Sequence, residues 1–128
     1  MEIFKIVTLS LSGLLLFFVG ISRLTNPIKT FEKSSGIKLQ NDGDLLNEIR
    51  GVAGVMLTAG LLSIIGAFVI ELSFAASFVV ATVFIGFAVG RTVSMKVDGK
   101  PNPKLIQGLM FELIFGALNV SLLILSLS

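Results

Sequence analysis

Four nearly uncharged apolar stretches, each close to 20 residues or longer, run through this chain. That is the length a helix needs to cross the hydrocarbon core of a bilayer. Lipid offers no partner to a backbone N–H or C=O, so a single crossing segment must pair its own backbone groups and be helical. With 128 residues, 54% of them hydrophobic and only 14% charged, a soluble domain of this size would have too little interior for so much apolar surface. The sequence therefore predicts an all-α fold, an integral membrane four-helix bundle. It forms a single domain over 1–128 with spans at about 3–24, 44–70, 72–93 and 103–127.

The breaks between spans carry recognisable signals. Asn26-Pro27 closes the first span, because proline disfavours helix in the residue before it. Glu2, Lys5 and Arg23 flank that span and no A-x-A-like cleavage site follows, which argues against a signal peptide. A polar segment, 26–43, holds Lys29, Lys33 and Lys38, a Ser-Ser-Gly break and Asn41-Asp42-Gly43. Its Ile28, Phe31, Ile37 and Leu39 suit it to the membrane surface, and Asp42 or Asp44 can cap the second span. Glu71 is the single charge in the short connection to the third span, so spans two and three are antiparallel neighbours. The last connection contains Asp98, Gly99, Lys100, Pro101, Asn102 and Pro103. Asp98, Gly99 and Pro101 could form a headgroup-binding loop, but an ordinary tight turn accounts for the same residues.

Charge sets the orientation. Arg23, Lys29, Lys33, Lys38, Arg50, Arg91, Lys96, Lys100 and Lys104 fall in or beside the first and third connections, whereas the other face has only Lys5. The positive-inside rule then puts both termini on the non-cytoplasmic side of a cell inner membrane. The net charge of +2 reads as this topology signal and not as nucleic-acid binding. Cys, His, Trp and Tyr are absent. Disulfide and thiol chemistry and the usual ligands of zinc, haem and iron–sulfur centres are missing, so no metal or cofactor is expected. Without Trp and Tyr, Lys and Arg at the helix ends take over the interfacial anchoring.

Glu112 is the most informative residue. It lies roughly 12 Å along the fourth helix from Lys104, below the headgroups and short of the midplane, where an unpaired carboxylate is costly. Gly108, Glu112, Gly116 and Asn119 share one helical face and should meet another helix. Glu48 and Arg50 are two residues apart and cannot pair well with each other. Arg23 and Arg91 end their helices at matching depth, so Glu48, Arg50, Arg91, Glu112 and Arg23 form a candidate cluster. It would either hold an anionic headgroup through bidentate arginines or neutralise its own charges. Gly86 and Gly90 form a GxxxG in the third span, and Gly51, Gly54 and Thr58 line one side of the second span. Gly60, Ser63 and Ala67 line its other side, and Ser10, Gly13 and Gly20 make a similar face on the first. These faces serve packing within the chain or a homo-oligomer. A faint repeat relates Phe18–Arg23 to Phe87–Arg91, each closing a span before a basic loop.

Arg23, Leu24 and Pro27 after the first span, Glu48-Ile49-Arg50-Gly51 with Gly54, Gly90-Arg91 with Ser94, then Asp98-Gly99-Lys100-Pro101, and Glu112 form a combined pattern. Over about 23–119 it resembles a family of small bacterial four-span membrane proteins of unknown function, with a looser likeness to DoxX-like proteins. The resemblance implies the four-helix fold and the same polar residues, and brings no reaction, substrate or cofactor. Function classes are therefore weighed from the residues. The first is a non-enzymatic protein that binds a lipid-like or amphipathic molecule, or a partner protein, beside the Glu/Arg cluster among membrane lipids. The second is a small proton-coupled transporter using Glu112, like the small multidrug resistance proteins. Against it stand a carboxylate in the fourth helix and the lack of Trp and Tyr for cations. The third is a membrane enzyme on a lipid substrate, for which the inventory of acid–base groups is poor.

Overall fold

The computed structural model describes all of residues 1–128, as five helices and no strand. They are α1 (Glu2–Thr25), α2 (Pro27–Ser35), α3 (Gly43–Phe68), α4 (Ile70–Asp98) and α5 (Pro103–Leu127). All but α2 are long and apolar enough to cross a membrane. The first, second and fourth predicted spans correspond closely to α1, α3 and α5. The third is longer than expected, because α4 starts at Ile70 and meets no breaker until Gly99, whose φ of 96° ends it.

The segment expected as a polar connection folds as α2. Pro27 sits in the first turn, where its missing N–H costs nothing, and Gly36 closes the helix in the left-handed conformation at φ 72°. Two bonds from α5 and its cap hold that end in place. Asn102 Nδ2 donates to Ser35 O at 2.9 Å and Lys104 Nζ donates to Lys33 O at 3.0 Å, satisfying carbonyls the short helix leaves free. Asn102 also caps α5 by accepting from Leu105 N at 3.0 Å, as Asp42 caps α3 by accepting from Asp44 N at 3.0 Å.

The α3–α4 hairpin turns on Val69 alone, extended at φ −107° and ψ 105°. Ser73 Oγ donates back to Gly66 O at 2.6 Å and binds the two helices at the turn. Around the bundle, α1 packs closely on α3, α3 on α4, and α4 on α5, whereas α1 and α5 meet sparingly.

Only 27 of 128 residues are buried, so the outer surface is left to lipid, and the interior differs from that of a soluble bundle. Ser12, Ser63, Ser77 and Asn119 are all at most 1% exposed, beside Leu9, Leu16, Val80 and Leu122. Lipid tails are as apolar as leucine, so helices gain little by burying leucine against one another. Small residues and interhelical hydrogen bonds do the joining instead. Ser63 Oγ donates to Leu9 O at 2.7 Å between α3 and α1, and Asn119 Nδ2 donates to Ser12 Oγ at 3.0 Å between α5 and α1.

The glycines divide sharply. A Cβ on Gly60 would lie 2.6 Å from Phe17 N, one on Gly13 2.8 Å from Gly60 O, and one on Gly20 2.7 Å from Leu57 N. These three make the α1–α3 seam possible. A Cβ on Gly116 would lie 3.2 Å from Ile85 Cγ1 across the α4–α5 seam, but one on Gly51, Gly54, Gly86, Gly90 or Gly108 would meet nothing within 4 Å. Those five therefore make no close helix contact within the chain. In particular, the GxxxG of α4 lies on the exposed face, while the close helix approach uses Gly13, Gly20 and Gly60.

Candidate functional site

The sparing contact between α1 and α5 shapes the site. Towards the chain termini the two helices meet through Ser12 with Asn119, and through Leu9 and Leu122 in one apolar cluster. Towards the basic end they part, and a cavity of about 260 Å³ lies between them, with α2 at its mouth. Its apolar walls are Leu15, Leu16 and Val19 of α1, Met56 of α3, Phe84 and Phe87 of α4, and Phe111 of α5. Its rim carries Arg23, Ser34, Ser35, Arg91, Lys104, Gln107 and Glu112. Gly108 also lines it, which explains why the α5 face holding this glycine meets no helix there. The absent side chain leaves the cavity open.

Arg91 Nε donates to Glu112 Oε1 at 2.8 Å, the ion pair that joins α4 to α5. The Glu112 side chain is 11% exposed and that of Arg91 30%. The carboxylate thus has the partner its depth requires, and the longer side chain reaches towards the headgroup level. Because the pair uses Nε, the terminal amino groups of Arg91 are not engaged by Glu112.

Arg23 is held differently. Its guanidinium lies 4.7 Å from the centre of the Phe31 ring, and Nη2 donates to Ser34 Oγ at 3.3 Å and Ser35 Oγ at 3.4 Å. Its Nε is buried without a partner. No carboxylate comes within ion-pair distance of Arg23, so three cations at the rim face one carboxylate. The sequence had offered α2 no role here, although Phe31 and the two serines are what fix Arg23.

Glu48 and Arg50 lie outside this group. Both are exposed, and Arg50 Nε donates to Leu24 O at 3.1 Å, tying α3 to the end of α1. Asn119 is deeper in the bundle, bonded to Ser12 and to Phe115 O at 2.9 Å, with its Oδ1 buried and unpaired. Asp98 accepts from Ser94 Oγ at 2.9 Å, and Gly99 and Pro101 border a small cleft of about 70 Å³ that Arg91 also lines. Positive φ at Gly99 and the Asn102 cap make this segment a tight turn. On the opposite side of Glu112, an open groove between α4 and α5 is lined by Ile85, Val89, Leu113 and Ala117, with Glu112 at its edge.

The arrangement sets positive charge and hydroxyl groups beside an apolar space. It can hold a molecule with an anionic head and an apolar tail, each part facing matching chemistry. A family model described as "Domain of unknown function (DUF4345)" matches residues 3–123, nearly the whole chain. No curated protein and no solved structure is detectably similar to it.

Proposed function

The chain belongs to the DUF4345 family, and from that premise and the cavity between α1 and α5 we propose that it binds an amphipathic anion in the membrane. The observation that carries this reading is the division of one cavity into apolar walls and a rim of Arg23, Arg91 and Lys104 against a single Glu112. An ion-pair network with no other role would match its charges and pack shut. This one leaves Arg23 without a carboxylate and keeps about 260 Å³ open beneath it.

Gly108 provides the test. It lines the cavity, and a Cβ added there would meet no atom within 4 Å. Gly108→Leu should therefore fold and fill the cavity without changing any charge, with helix propensity favouring the substitution. Native mass spectrometry of protein released from its own membrane should find an amphiphile on the wild type and none on Gly108→Leu. The same adduct on both proteins, in equal amount, would reject the cavity as the binding site.

We read the α2 end of the bundle as cytoplasmic, in a cell inner membrane, because nine of the ten Lys and Arg residues lie at or near that end and only Lys5 lies at the other. A cysteine introduced at Ser128 should react with a membrane-impermeant maleimide added outside intact cells. Labelling that appears only after lysis would reverse the orientation.

A further inference from the structure

Resting on that reading, we infer that the ligand is a single-chain phosphate monoester, its phosphate on Arg23, Arg91, Lys104 and Ser35 and its one chain running down between α1 and α5.

Charge selects the head. Three cations against one carboxylate leave two positive charges unmatched at the rim. A phosphate monoester carries about −1.5 to −2 near neutral pH. A carboxylate brings a single charge, and a phosphocholine head brings its own cation. Donor geometry agrees with this choice. Arg23 has a buried Nε without a partner, and its bonds to the α2 serines are long, 3.3 and 3.4 Å. The Arg91 terminal amino groups are free of Glu112. Ser34 spends its own proton on Thr30 O at 2.9 Å, whereas Ser35, 3% exposed, accepts from Arg23 and keeps its proton for a ligand oxygen. Lys104 uses one donor on Lys33 O and retains two.

Volume selects the tail. About 260 Å³ lies just under the range of about 300–1,000 Å³ usual for drug-sized ligands. The apolar wall from Arg23 to Leu15 is about 12 Å deep by helical rise, and it closes where Ser12 meets Asn119. Between this cavity and the outer groove, which share Glu112, α4 and α5 run close at Gly116, where an added Cβ would stand 3.2 Å from Ile85 Cγ1 and 3.6 Å from Phe84 Cβ, and this narrowing favours one chain over two.

The experiment measures binding to the full-length protein in lipid nanodiscs, with Gly108→Leu as the filled-cavity control for partition into the disc. The probes are dodecyl phosphate, dodecanoate, dodecylphosphocholine, dioleoyl phosphatidic acid and inorganic phosphate. Dodecyl phosphate should bind the wild type about tenfold or more tightly than each of the others, a difference that charge-assisted hydrogen bonds can supply. Lys104→Gln, a change at an exposed side chain, should reduce the preference over dodecanoate severalfold. Equal binding of dodecylphosphocholine or dodecanoate would overturn the monoester assignment and leave the amphiphile reading standing. Equal binding of phosphatidic acid would overturn the single chain, and equal binding of inorganic phosphate would make the site one for free phosphate. If no probe distinguished wild type from Gly108→Leu, the amphiphile reading itself would fall.

Discussion

Arg91→Ala is expected to lower the stability of the bundle by about 3–5 kcal/mol, the usual cost of leaving one member of a buried ion pair alone. Glu112 is 8% exposed and bonds to no side chain except Arg91. Alanine removes that donor and leaves a carboxylate in a cavity walled by Leu16, Phe84 and Phe87. Replacing both partners together, Arg91→Met with Glu112→Leu, should recover most of the loss. Two apolar side chains leave no charge to solvate, and breaking a buried pair costs more than deleting it. Glu112→Gln should cost less than Arg91→Ala, since the arginine it releases is 30% exposed and can reach the headgroups. Equilibrium unfolding in mixed micelles, followed by circular dichroism, compares the three variants with the wild type. If Arg91→Ala fell within about 0.5 kcal/mol of the wild type, the range of an ordinary surface change, Glu112 would have to be solvated through the cavity, and the pair would owe its place to binding alone.

What could be read in the sequence follows from what lipid enforces. Span number and helical state were legible because each apolar block must satisfy its own backbone, and the structure has four helices able to cross a membrane. Glu112 was legible as exceptional because a charge at that depth is expensive, and the structure pairs it with Arg91 at 2.8 Å. Its partners were not fully legible. Helical spacing says which residues share a face, but not which helix that face meets. With α5 seated on α4 and loosely on α1, Glu112 meets Arg91 and lines a cavity with Arg23, while Glu48 and Arg50 stay exposed on α3. The short helix α2 was hidden by its first residue. Pro27 was read as the end of one helix, although proline in a first turn followed later by Gly36 also describes a nine-residue helix. Because α2 positions Phe31, Ser34 and Ser35, missing it also concealed what holds Arg23.

Glycine spacing misled for a related reason, and the energetic consequence is large. A GxxxG signals that a helix face is smooth, not that another helix lies on it. Gly86 and Gly90 are exposed, with open space beyond each, whereas Gly60 faces the backbone of α1. At Gly60 a new Cβ would stand 2.6 Å from Phe17 N and 2.8 Å from Gly13 O. Neither atom ends a flexible side chain, so the only relief is for α1 and α3 to move apart. That separation would strain the Ser63 to Leu9 bond and the packing of Leu16 on Met56 and Ala59. Gly60→Leu is therefore expected to destabilise by about 3 kcal/mol, the upper end of the usual overpacking cost. Gly86→Ala and Gly90→Ala should instead be neutral or stabilising by up to about 1 kcal/mol, since each removes a flexible residue from a helix interior. The same unfolding titration, run on single-chain protein diluted until any oligomer dissociates, compares the three. A loss of several kcal/mol at Gly86 or Gly90 only at high protein-to-detergent ratio would locate a contact between copies on the outer face of α4. A tolerated Gly60→Leu would mean that α1 and α3 do not approach as closely as their glycines allow.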